Sequence, residues 1–457
     1  MGRLIAISNR TAADPSARAG GLAVAVWESL KSTGGLWFGW SGNLVDETPG
    51  ELQGFTDDGV EFALTDLTQD EHDGYYLGYA NSVLWPVFHY RVDLASFDNA
   101  AFSTYAQVNQ RFAGLLQPKL SVGDTVWVHD YHFLLLADAL REAGWNGATG
   151  FFLHIPFPAP EVFRALPEHD ILAEAMCAYD VIGFQSEQDR SNFERYVREQ
   201  FDATIDAEGV VSVNGQTVKI AAYPIGIDAK AFHAAARSET ADNAAERIGR
   251  FLGGRSLVIG VDRMDYSKGL PQRFEAVGAL FDQHPELHGK VSVTQVAPPS
   301  RSKVDEYKEL RVQLDELAGR INGDYGDLDW IPLRYLARSY DREELAGLFR
   351  IARVALVTPL RDGMNLVCKE FVMSQDEADP GVLVLSEFAG AAEQMQQALI
   401  VNPHDRDGLA ETIYRALTMP LAERQARWRA LKEVVETQDI AWWRKRFLKD
   451  LEAVERV

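Results

Sequence analysis

An α/β fold of two doubly wound domains facing across a cleft is what this sequence predicts, on three observations. Short apolar runs that read as strands buried on both faces recur along the chain, as parallel sheets require. Each run gives way to a polar loop and then to a helix-like apolar pattern, the rhythm that builds ligand sites at the carboxyl ends of strands. The rhythm halts at the turn-rich run Pro224-Ile225-Gly226-Ile227-Asp228 and restarts beyond it. The expected division is therefore residues 1–226 and 227–438, with 439–457 left as a terminal helix.

In chain order, Leu4–Ser8 is the first strand. Asn9-Arg10 and a polar loop follow it, and Gly20-Gly21 opens the apolar-periodic helix Leu22–Leu30. A glycine pair there lets backbone approach a phosphate; it is equally a plain turn, and no G-x-G-x-x-G is present. Trp37-Phe38-Gly39-Trp40-Ser41-Gly42 is the next strand, and Tyr75-Tyr76 with Leu84–Tyr90 forms an aromatic region. Most of those rings belong to a core, while any at a loop suit the face of a sugar. Thr125–Val128 runs out into His129-Asp130-Tyr131-His132, and Gly150–Leu153 runs out into His154-Ile155-Pro156-Phe157-Pro158. The prolines make that second ending a rigid loop. His129, His132 and His154 do not have the spacing of a helical metal-binding pair, so no metal is expected. Val181–Gln185 and Val218–Tyr223 complete the first half.

Beyond the boundary, Ala229–Arg250 is helical, and Ser256–Val261, Val291–Val296, Val354–Thr358 and Val382–Leu385 are strands. Val354–Thr358 leads into Pro359-Leu360-Arg361-Asp362-Gly363-Met364-Asn365-Leu366-Val367-Cys368-Lys369-Glu370. Asn365 suits a helix N-cap whose free N–H groups favour an anion. Asp362 offers acceptors to sugar hydroxyls, and Glu370, about one and a half turns into the helix, can take two adjacent hydroxyls. The tail from Pro420 is helical, breaks near Thr437-Gln438-Asp439, and then sets Ile440, Trp443, Phe447 and Leu451 on one face.

The formal net charge of −22 argues against a nucleic-acid or anionic-membrane surface. Any basic cluster at a loop therefore calls for a specific explanation. Arg263 and Lys268 stand five apart in Asp262-Arg263-Met264-Asp265-Tyr266-Ser267-Lys268-Gly269. Asp262 and Asp265 are ready partners for them within that loop. Alternatively the two cations form a clamp for a diphosphate leaving group. Arg301, in Pro298-Pro299-Ser300-Arg301, together with Arg10 suits a separate phosphomonoester. Two distant cysteines, Cys177 and Cys368, give no disulfide framework and suit a reducing cytoplasm. The apolar run at Met1–Ile7 is too short for a signal peptide, and no run approaches the ~18 residues of a membrane span.

Over nearly its whole length the chain resembles the trehalose-6-phosphate synthase family, the retaining glycosyltransferases of family 20, and is closest in pattern to the bacterial two-domain type. The resemblance is carried by Trp37–Gly42, Val83–Tyr90, Trp127–His132, Gly150–Pro158, Pro224–Asp228, Val261–Leu270, Pro359–Glu370 and Ser386–Ala392. It implies a GT-B fold of two Rossmann-like domains, with the last helix, 439–457, crossing back to an acceptor-binding domain, 1–226. Residues 227–438 would form the nucleotide-sugar domain. The implied reaction moves glucose from a nucleotide diphosphate, UDP most commonly, to glucose 6-phosphate. It gives α,α-trehalose 6-phosphate without a metal or other cofactor. By resemblance, the donor is held by Gly20, Gly21, Arg263, Lys268, Asp362, Gly363, Met364, Asn365, Leu366, Val367 and Glu370. The acceptor is held by Arg10, Trp40, Tyr76, Trp85, Asp130 and Arg301, and the chemistry rests on His154, Asp130, Arg263, Lys268 and Asp362. The Thr11–Ala19 loop is short for the family, which bears on how the acceptor is covered.

Two other readings stand beside this one. A sibling enzyme would use another phosphorylated acceptor, such as glycerol 3-phosphate. A non-catalytic sugar-phosphate sensor would lack some of Arg263, Lys268, Asp362 and Glu370, all of which are present. No nucleic-acid or membrane partner is expected; the donor base and homo-oligomerisation stay open.

Overall fold

The computed structural model describes residues 2–13, 21–300 and 305–454. Contacts divide the chain into two units, Met1–Pro224 with Trp443–Val457, and Ile225–Trp442.

Among the described residues the first unit holds a ten-stranded sheet. Its centre is parallel, in the order Val60–Thr68, Gly35–Val45, Leu4–Arg10, Thr125–His129, Thr149–Phe152, Val181–Phe184 and Gln216–Ala222. Antiparallel strands, Gln53–Asp57 at one side and Val210–Val213 with Thr204–Ile205 at the other, close the edges. The central strands are buried along nearly their whole length, which is why they read as continuous apolar runs. Their registers run in step: Ser8 pairs with His129, His129 with Phe152, and Phe152 with Gly183. The residues at or just past the strand ends, Asn9-Arg10, Asp130 and His154, therefore emerge along one edge.

The helix Ile440–Glu452 belongs to this unit through Trp443, Phe447, Leu448 and Leu451, all buried. Trp443 and Phe447 each lie 5.0 Å from the Trp127 ring. Phe447 also meets Tyr223 at 5.2 Å. Glycine in the strands makes this docking possible. A Cβ on Gly150 would stand 2.9 Å from Phe447 and Leu451, and one on Gly183 would stand 2.9 Å from Phe447.

His72–Leu84 forms thirteen residues of wide helical turns, with main-chain bonds spanning five residues rather than four. Such turns are rare, and where they occur they often mark functional sites. Asn81 Nδ2 and Ser82 Oγ each donate back five residues, to the carbonyls of Tyr76 and Leu77 at 2.8 Å.

Among the described residues the second unit holds a six-stranded, all-parallel sheet, in the order Leu333–Leu336, Val291–Val296, Ser256–Val261, Val354–Val357, Val382–Ser386 and Leu399–Val401. The two outer strands, Leu333–Leu336 and Leu399–Val401, are additions to the four that the sequence showed. Here too the register aligns the strand ends, with Val261 opposite Val296 and Val357 opposite Leu385.

Candidate active site

At the carboxyl edge of the first sheet, Asp130 adopts φ 78°, ψ 167°, a region essentially reserved for glycine and costing on the order of 1–3 kcal/mol. The surroundings hold it there. Its N–H donates to Phe152 O at 2.8 Å, and its carboxylate accepts from the His154 N–H at 3.2 Å. The His154 ring meets Nδ1 of His129 at 3.2 Å. Beside them runs a wall of rings. The Arg10 guanidinium lies 5.7 Å from Trp40, Trp40 lies 5.8 Å from Tyr76, and Tyr76 stacks on His132 at 5.9 Å. His132 continues to Tyr131 at 4.1 Å, and Tyr131 to Trp85 at 5.8 Å. The edge thus gathers Arg10, Trp40, Tyr76, Trp85, Asp130 and His154. Trp85 is only 5% exposed, so it backs the wall more than it presents a surface. Gly21 begins the helix Gly21–Thr33. Gly20, Arg301 and residues 14–19 of the Thr11–Ala19 loop lie outside the described residues.

The basic loop of the second unit keeps only part of the local pairing open to it in sequence. Asp262 does not take Arg263 or Lys268; it accepts from the fully buried Arg273 at 2.6 Å. Arg263 is half exposed and stands 4.0 Å from Asp265, whose carboxylate accepts from Ser267 N and Tyr307 Oη. Lys268 reaches across to Asp362 at 2.5 Å, and Asp362 also accepts from Asn365 Nδ2 at 3.0 Å. The backbone binds the same two loops together, Leu360 N donating to Ser267 O at 2.7 Å. Gly390 closes the floor: a Cβ there would lie 1.9 Å from Gly363 O.

Asn365 is not the N-cap. It is left-handed at φ 71°, the helix begins at Val367 after Leu366, and Asn365 Oδ1 accepts from Val367 N at 3.2 Å. Glu370 consequently stands in the first turn, where the helix dipole favours its anion. Burial opposes this and pushes the Glu370 carboxyl up to about 7, with Arg342 pulling the other way. A carboxyl raised above its ordinary value lends stability below that value and loses it as pH rises through the raised one. Glu370→Gln should therefore match the wild type near pH 4.5. By pH 8 it should be more stable by roughly 1–3 kcal/mol, after allowance for partial exposure. Urea unfolding at both pH values checks this.

Sequence reasoning missed Arg273 and Lys369. Arg273 lies in the buried stripe Leu270, Arg273, Phe274, Val277 of its helix, and a cation inside an apolar stripe was the available signal. Lys369 is 1% exposed and donates to Ile225 O at 2.7 Å and to Gln394 Oε1 at 2.9 Å. Burial lowers its pKa to about 8. It ties the Glu370 helix to the residue at which the chain enters the second unit. Among the described residues, no group of three or more His, Cys, Asp or Glu is placed to hold a metal, and no helix is long and apolar enough to cross a membrane.

Two Rossmann-like units, each an open sheet with a parallel core and its charged side chains at the carboxyl ends of the strands, make this a glycosyltransferase of the GT-B class. The family model described as glycosyltransferase family 20 matches residues 6–453, and the chain belongs to that family. It is 48% identical over 455 residues to the trehalose-6-phosphate synthase of Citrobacter koseri, covering 99% of this chain and 96% of the relative. A UDP-forming α,α-trehalose-phosphate synthase from Burkholderia xenovorans, in complex with glucose-6-phosphate, superposes with a TM-score of 0.96. It is 46% identical, over 99% of this chain and 100% of that one. An E. coli protein bound with UDP-2-fluoro glucose superposes with a TM-score of 0.95, at 45% identity and full coverage of both chains.

Proposed function

We propose that this chain transfers glucose from UDP-glucose to the anomeric hydroxyl of glucose 6-phosphate with retention, giving α,α-trehalose 6-phosphate and UDP. One observation carries the reading: similarity at 45–48% identity, over 99% of the chain or more, to synthases described as UDP-forming or bound to glucose-6-phosphate or a UDP-glucose analogue.

In this reading the second unit takes the donor. Arg263 and Lys268, helped by the Gly20-Gly21 backbone, neutralise the diphosphate as its bond to glucose breaks. Asp362 and the backbone of Gly363, Met364, Asn365, Leu366 and Val367 hold the donor glucose, and Glu370 takes the ribose hydroxyls. The acceptor is assigned to Arg10, Tyr76, Trp85 and Arg301 for its phosphate, with Trp40 beside them, and to Asp130 for its sugar. His154 hydrogen-bonds the transferred glucose near the reacting carbon. Asp130, Asp362 and Glu370 are each engaged elsewhere, so none is left as a nucleophile for double displacement. The acceptor hydroxyl then attacks on the face that the diphosphate leaves and passes its proton to the departing phosphate oxygen. The two cations do the work a divalent ion does in other transferases. The cytoplasm suits the two buried, unpaired cysteines.

The test is release of nucleoside diphosphate by purified protein given glucose 6-phosphate with UDP-, GDP- or ADP-glucose, with and without EDTA. UDP-glucose should serve, and EDTA should leave the rate unchanged. No release with any donor sinks the activity. A rate abolished by EDTA and restored by magnesium or manganese sinks the metal-free part.

A further inference from the structure

The proposed roles leave one contact unused, that between the His129 and His154 rings. His129 ends the strand Thr125–His129 and is fully buried, and its Nδ1 lies 3.2 Å from Nε2 of His154. Burial holds the His129 pKa well below its ordinary value and takes His154 down to about 3, so both rings are neutral at neutral pH. A contact between two neutral imidazoles holds a single proton. One nitrogen donates and the other accepts, and the remaining nitrogen of each ring takes the complementary state.

The far side of His129 decides which. Among the described residues, its Nε2 has no hydrogen-bond partner, and neither do the buried indole nitrogens of Trp127 and Trp443. The three rings form one cluster, with His129 at 4.5 Å from Trp127 and 6.4 Å from Trp443, and the two indoles 5.0 Å apart. An indole nitrogen can only donate. A proton on His129 Nε2 would make three buried donors and no acceptor. A proton on Nδ1 leaves two donors beside a lone pair. An unmade donor in such a place is disfavoured by about 1–3 kcal/mol. The proton therefore lies on His129 Nδ1 and is donated to His154 Nε2, which leaves the His154 proton on its own Nδ1. The His154 ring makes no other hydrogen bond with described residues, and the residue as a whole is partly exposed.

We propose that His129 is a positioning residue that locks His154 in the Nδ1–H tautomer, so that His154 presents a hydrogen-bond donor, and never an acceptor, to an oxygen of the transferred sugar. The half concerning the sugar rests on the assignment of His154 in the proposed function; the half concerning the tautomer does not. A donor aimed at a sugar oxygen also orders that oxygen's own hydroxyl proton outward, which fixes how the ring is seated before the bond to the diphosphate breaks.

Two measurements separate the halves. The first uses the full chain labelled with [15N]histidine and no ligand, with the His154 signals identified by their loss in His154→Gln. Nδ1 should resonate as a protonated nitrogen and Nε2 as a bare one; the reverse overturns the proposal. The second compares His129→Asn, whose amide nitrogen can replace the Nδ1–H, with His129→Leu, which has nothing to donate. His129→Leu should lower kcat about tenfold or more, as loss of partners that fix an imidazole does at metal sites. KM for glucose 6-phosphate should stay unchanged, and the His154 signals should report mixed tautomers. His129→Asn should recover part of kcat together with the single tautomer. A folded His129→Leu with wild-type kcat, or an asparagine variant no better than leucine, overturns the positioning role. A wild type that releases no UDP instead brings down the assignment to sugar, and the nitrogen signals still decide the tautomer.

Discussion

Lys268→Ala should lower kcat by about 10²-fold or more at saturating donor, the scale of losing a group that faces developing charge. Its side chain is 11% exposed, and its ammonium sits 2.5 Å from Asp362, itself 14% exposed. In the proposed role, a cation so enclosed would act on the departing diphosphate with little screening by water. Arg263 is half exposed and 4.0 Å from its carboxylate neighbour, so Arg263→Ala should lose less. The charge on the diphosphate grows as its bond to glucose lengthens, so the loss belongs in kcat; uniform binding would appear in KM alone. Lys268→Arg should not rescue, because a planar guanidinium fork does not reproduce the compact point charge it replaces. Removing Lys268 also strips Asp362 of its cation. The Lys268→Ala/Asp362→Asn double variant therefore belongs in the same experiment, to separate lost stabilisation from a stranded carboxylate. Steady-state kinetics decides, and a rise in KM with kcat intact would reduce Lys268 to a binding residue.

What could be read from the sequence follows from what surrounds each segment. Ser256–Val261 and Val354–Val357 are central parallel strands, buried on both faces, and such strands show as unbroken apolar runs. Leu333–Leu336 is an outer strand that carries Arg334 and is mostly half-buried, so it has neither the run nor a clean alternation. The wide turns of His72–Leu84 do not repeat with the 3.6-residue period of an amphipathic helix, and Gly74 and Gly78 inside them argue against a helix. The candidate site was legible where a charge stands just past a strand end, as at Asp130, Arg263, Lys268 and Asp362. It was illegible where the partner is distant. Arg273 meets Asp262 eleven residues back, Gln295 twenty-two ahead and Thr358 eighty-five ahead, and nothing local marks those separations. His129 was seen as one of three histidines with the wrong spacing for a metal, whereas its contact with His154 comes from the register of two adjacent strands.

Arg273→Met should destabilise the protein by about 3–5 kcal/mol, the scale of breaking one side of a buried ion pair. The guanidinium is 1% exposed and joins the ends of three strands. It donates to Asp262 at 2.6 Å and Gln295 Oε1 at 2.7 Å through Nη1, and to Thr358 Oγ1 at 2.9 Å through Nε. Asp262 and Thr358 open the two loops that carry Arg263, Lys268 and Asp362, so the same contact that stabilises the sheet sets where those side chains start. Burial already pushes the Asp262 carboxyl above its usual range, and Arg273 and Lys268 pull it back. Without Arg273 it should rise further. A carboxyl with a raised folded-state pKa loses stability as pH increases, so the deficit should be small in acid and grow through the carboxylate range and beyond. Urea unfolding at pH 5 and pH 8 reads this directly. Adding Asp262→Asn should recover part of the loss at pH 8 and little at pH 5, because it removes the charge that Arg273→Met strands. A deficit of the same size at both pH values, unrelieved by the second change, would mean that Arg273 matters for its packing and its bonds to Gln295 and Thr358, and that its charge is incidental.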